Sequence, residues 1–63
     1  MWHIIQCHGV DESGTPYGHP ASVAQFDTKW FANLYKFMYY DLFGSDHLRM
    51  HYRWIVIHDD DLP

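Results

Sequence analysis

Six histidines, one cysteine and eight carboxylates are the side chains in this 63-residue chain with the chemistry for catalysis or metal binding. Their spacing limits what they can do. His47 and His51 stand at i, i+4; on a helix both would leave one face, whereas on a strand they lie about 13 Å apart, too far for one ion. Cys7 and His8 are neighbours, point to opposite faces of a strand, and so make no nucleophile–base pair. A zinc site would need His3 and Cys7 to meet a histidine of the last strand, and nothing in the spacing requests that. Ser45, Asp46 and His47 have the residue types of a hydrolase triad, but three consecutive residues cannot form its relay. Gly14 and Gly18 bracket Pro16 and Tyr17 with no lysine following, so no phosphate loop is present. The expectation is no catalytic residue, no metal, no cofactor and no enzyme.

What remains is a recognition pattern in "HLRMHYRWIVIH", residues 47–58. Leu48, Met50, Tyr52 and Trp54 alternate with His47, Arg49, His51 and Arg53, which predicts a strand with a cationic row on one face. The row is either an ordinary solvated sheet face or a docking stripe for carboxylates or phosphates. Four Lys and Arg in the whole chain neutralise few phosphates, so direct nucleic-acid binding is the weaker form of the second reading. His47, Arg49, His51 and Arg53 are the expected partner-binding residues, with Tyr35, Tyr39 and Tyr40 as secondary candidates. Ile55 and Ile57 continue the parity of Arg53, so the apolar end of that face needs a cover.

The elements that must position these residues read as strand, turn-rich loop, helix and long strand. "WHIIQCH", residues 2–8, has the β-branched and aromatic content of a strand. "GVDESGTPYGHP" has turn chemistry throughout, and "ASVAQF", 21–26, is a possible further strand. A helix is predicted over 27–43, with Asp27 as N-cap, Phe26 and Phe31 as a hydrophobic staple, and Gly44 as the left-handed stop. Phe31, Leu34, Met38 and Leu42 fall within about 80° of one another and should face the sheet with Leu48, Met50, Tyr52, Trp54 and Val56. Trp30 and Phe37 on one flank and Tyr35 and Tyr39 on the other widen the apolar arc to roughly 200°, more than one packing surface uses. Asp41 falls inside that arc and needs Arg49, Arg53 or water. The fold class is α+β: a small antiparallel sheet of two to three strands with one helix on one face.

Length allows one domain, residues 1–63, with the acidic 59–63 segment as a frayed tail. So short a chain buries only about 60% of its unfolded surface, and its core is marginal without a staple, a metal or a partner. Cys7 is the lone cysteine, which fits a reducing compartment. No apolar run approaches a membrane span and no signal peptide is evident, so the expected location is cytoplasmic. Phe, Trp and Tyr make up 19% of the chain, too many for a small core to hide, and they are the residues that dominate protein–protein contacts. Net charge is −4 with the histidines neutral, which disfavours nucleic acid as a bulk ligand but suits basic surfaces on enzymes that bind it.

In element order, length and lack of a catalytic signature the whole chain resembles short phage-encoded proteins that bind and inhibit host enzymes. The resemblance is one of layout, with no specific motif, so no binding residue is carried over. It implies a non-catalytic protein that inhibits or redirects a larger host enzyme, in the host cytoplasm; the acidic charge makes a nucleic-acid-processing enzyme the expected class. The alternative is a self-associating module, a homodimer closed by the last strand and the aromatic arc.

Overall fold

The computed structural model describes residues 1–62 and gives the expected α+β class. In chain order it has β1 (Trp2–Cys7), β2 (Gly9–Val10), β3 (Pro16–Tyr17), β4 (Ala21–Phe26), α1 (Lys29–Lys36), a π-helical continuation (Phe37–Leu42), α2 (Asp46–His51) and β5 (Arg53–His58). A 3-10 turn, Asp59–Asp61, follows. The antiparallel sheet has the order β4-β1-β5, with Ile4 opposite both Ala24 and Val56, so the first strand lies in the middle. The turn-rich loop is a separate hairpin of β2 and β3. Asp11 holds its tip by accepting from the Ser13 and Thr15 amides at 3.0 and 2.9 Å. The possible strand at 21–26 is present as β4, with a bulge opposite Ile4 and Ile5.

The helix forms where expected, but with different ends. Thr28, not Asp27, is the N-cap; its hydroxyl accepts from the Phe31 amide at 3.3 Å. That shifts the frame by one residue and removes Phe26 and Phe31 from staple spacing; Phe26 packs on Tyr35 instead, ring centroids 5.2 Å apart. Past Lys36 the helix widens, and Phe43 N–H donates to Met38 O, five residues back, at 2.9 Å. Widening brings i and i+5 together, so Asp41 meets Lys36 at 4.0 Å rather than Arg49 or Arg53. Gly44 is not left-handed. It is required because a Cβ there would strike the carbonyl of Tyr40.

The largest correction concerns residues 47–51, which are not strand. Ser45 caps α2 by accepting from the Leu48 amide at 3.1 Å, Asp46 stands in the first turn, and Arg49 and His51 in the last. Each suits the helix dipole, and Leu, Arg and Met are good helix formers. The β-branched run begins only at Ile55, and the strand is correspondingly short. From Trp54 onward the expected parity holds: Trp54 stacks under Tyr35 and Tyr40 on the helix side.

Side-chain packing around the helix inverts the expectation. Ala32 is fully buried, while Phe31, Leu34 and Leu42 are exposed and Met50 is 79% exposed. The inward face consists of Ala32 and amphipathic neighbours whose bodies cover the sheet while their tips stay wet. Lys29 lies 5.3 Å over the Trp2 ring, and Tyr40 Oη donates to Tyr52 O at 2.7 Å. Trp54 Nε1 donates to Gln6 Oε1 at 3.0 Å beneath them. Ile4 is fully buried on this side, and Ile5 and Cys7 are buried on the other, where Ile55 and Ile57 are half-buried. Burying an isoleucine stabilises by about 1.5–3 kcal/mol, so β1 is the thermodynamic centre.

Candidate interaction surface

The cationic residues do not form one row. His47, Arg49 and His51 belong to α2, and only Arg53 starts a strand. The helix brings the His47 and His51 rings to a centroid separation of 4.4 Å. Among the described residues, no group of three or more His, Cys, Asp and Glu side chains is placed to hold a metal. Arg49 is engaged within the fold: its guanidinium donates to Gly44 O, to Tyr40 O at 3.1 Å and to Asp46 Oδ1 at 2.7 Å. It closes the carbonyl end of the main helix, where a cation is favoured. Arg53 is exposed. Tyr35 and Tyr40 are half-buried on Trp54, and Tyr39, half exposed, lies 4.5 Å from Tyr35.

The prominent surface is the outer face of the main helix. Trp30, Leu34 and Phe37 fall within about 60° of one another, and Ala32, at the sheet, is about 160° round from Leu34. Trp30 is 66% exposed and stands edge-on to Phe31 at 4.9 Å; Phe37 and Leu42 are exposed, and Phe43 at the end is 72% exposed. Six large apolar side chains on one short element exceed the scattered singles of an ordinary surface. The 200° arc contains this surface, but Phe31, Leu34 and Leu42, expected on the sheet, lie on its exposed part. Tyr35, Tyr40 and the stem of Lys29, rather than the aliphatic centre of the arc, cover the sheet, because rings and long stems suit Trp2 and Trp54 beneath them.

A second constellation was not visible in the sequence. His3, nearly buried, links Ser22 to Asp59: Nδ1 lies 3.4 Å from Ser22 Oγ, and Nε2 meets Asp59 Oδ1. Asp59 Oδ2 also accepts from the amino group of Met1 at 2.9 Å. These two bonds, the amino group first and His3 second, hold the Asp59 carboxyl below its usual value. The residue types run in triad order, but the serine contact is long and the hydroxyl also reaches Ala24 O at 3.5 Å. The set lies on a sheet face, and the described residues form no pocket beside it. The bonds clasp the start of β1 to the turn that follows β5. Asp59 is therefore not a frayed end; Pro63 of the acidic segment lies outside the described residues. No helix among the described residues is long and apolar enough to cross a membrane. Comparison with protein families, curated proteins and solved structures finds no match to this chain.

Proposed function

We propose that this chain is a non-catalytic binding protein that sets the outer face of its main helix into an apolar groove of a larger protein and so blocks or redirects it. The observation that carries the reading is the exposed run Trp30, Phe31, Leu34, Phe37, Leu42 and Phe43 on one element. A helix-in-groove contact uses anchors at such i, i+3, i+4 and i+7 spacing, and aromatic side chains supply most of the energy at interface centres. Eight carboxylates against four Lys and Arg favour a target whose groove has a basic rim. A nucleic-acid-processing enzyme has that character, which agrees with the resemblance to phage-encoded inhibitors of host enzymes.

The test is capture from a lysate of the natural host, comparing the wild type with Leu34→Asp/Phe37→Asp. Both positions are exposed, so the double variant should keep its thermal melt while losing the captured protein. Affinity should fall at least about a hundredfold, since anchor truncations cost 2 kcal/mol or more. Equal capture by a folded double variant would move the site off this face. Binding of duplex or single-stranded DNA or RNA by the isolated chain, falling steeply with salt, would replace the reading with a nucleic-acid module.

A further inference from the structure

The outer edge of β5 carries an inference independent of the helix face. β5 is an edge strand, and its main packing neighbours are β1 and α1. Asp59 N–H donates to Met1 O at 3.0 Å, in register with Trp2 opposite His58. In an antiparallel ladder the residues that bond to a neighbour alternate, so the odd-numbered residues turn their N–H and C=O toward β1. The even-numbered Trp54, Val56 and His58 turn theirs outward. The bond from Tyr40 Oη to Tyr52 O agrees with that parity. Among the described residues no other group bonds to the outward amides of these three or to the carbonyls of Trp54 and Val56.

Exposed edges are normally blunted by a bulge, a lysine or a proline. β4, the other edge, has a bulge and is preceded by Pro20. β5 has none of these protections. Its sequence, "RWIVIHD" over 53–59, is a pseudo-palindrome about Val56. Ile55 mirrors Ile57, Trp54 mirrors His58, and Arg53 mirrors Asp59 with the opposite charge.

We infer that β5 pairs antiparallel with β5 of a second copy of this chain, about a two-fold axis through the Val56 pair, to form a continuous six-stranded sheet. In this register Val56 faces Val56 and Trp54 faces His58 of the other copy, and all the outward-facing amides and carbonyls of both strands are bonded. Ile55 meets Ile57, and Arg53 meets Asp59 at both ends. Moving the register by two residues to centre on Ile55 leaves His58 unpaired and puts Arg53 against Ile57. The chain already uses a Trp–His cross-strand pair, Trp2 edge-on to His58 at 4.9 Å. A symmetric antiparallel interface is isologous, which is what a palindrome with inverted end charges satisfies. Both helices then lie on the same face of the extended sheet and keep their outer sides free.

Sedimentation equilibrium over a concentration series tests this, with a mass of twice 7.6 kDa expected for the wild type at the upper end. Arg53→Glu alone places Glu against Asp59 twice, and Asp59→Lys alone places Lys against Arg53 twice. Each should weaken self-association by about tenfold or more. Mixed one to one, the two variants restore both charge pairs and should form a heterodimer. Because Asp59→Lys also breaks the clasp to His3, hydrogen exchange on the wild type supplies a second reading. Protection of the Trp54, Val56 and His58 amides should rise with concentration, while the Ile55 and Ile57 amides, bonded to β1, stay protected throughout. A mass that remains monomeric overturns the inference. So does a dimer in which the three outward amides exchange freely, or one that folded Arg53→Glu leaves intact.

Discussion

The titration of Asp59 and that of Asp11 are each tied to the fold. The carboxyl of Asp59 is held down by the amino group of Met1 and by His3. That of Asp11 is held down first by the Ser13 hydroxyl and then by the Thr15 amide. A carboxylate whose pKa is lower folded than unfolded contributes stability above its ordinary value of 3.8, and that contribution is lost as pH falls through the lowered folded value. Both groups are solvent-exposed, so the effect is screened and modest. Asp59→Asn is expected to lower the melting temperature at pH 7, and the difference from wild type should shrink by pH 3. Melts at the two pH values, at concentrations where the mass is monomeric, provide the check. An equal difference at both would mean that Asp59 acts through shape rather than charge.

At the scale of elements, the first strand and the body of the helix were legible from the Ile4–Ile5 pair, the wide apolar arc and the turn-rich spacer between them, while 21–26, with one β-branched residue, read only as a possible strand. The α2 segment was not, because "HLRMH" satisfies alternation and helical propensity alike, and the Ser45 cap that decides for the helix shows only in the fold. The candidate site suffered from the same choice: a row of cations exists only if 47–53 is extended, and in a helix Arg49 turns back to cap Tyr40 and Gly44. This gives a sharp test. Met50→Asp, at an exposed position, should change stability by no more than about 0.5 kcal/mol. Arg49→Ala removes charged donors from helix-end carbonyls and should cost about 1–2 kcal/mol, or roughly 4–16 °C in a domain of this size. A strand at 47–51 would reverse the order of the two variants.

For the whole molecule, the division between what folds the chain and what it presents is unusually uneven. Among the described residues the core is Ile4, Ile5, Cys7 and Ala32, three of them on β1, while Trp30, Phe31, Phe37 and Phe43 stand half exposed or more. A single small core rarely supplies more than about 3–5 kcal/mol. Truncating its centre should therefore be decisive: Ile4→Ala costs about 2–5 kcal/mol and should leave the chain largely unfolded at 37 °C. Phe37→Ser removes a larger side chain but one already half in water, and should shift stability by less than about 0.5 kcal/mol. Urea titrations of both variants against wild type measure the contrast. If Phe37→Ser proves as costly as Ile4→Ala, the outer face is part of the folding core, and the helix is rotated about its axis from the orientation described. If the contrast holds, the aromatic surplus contributes little to folding, which is what the proposed docking face requires.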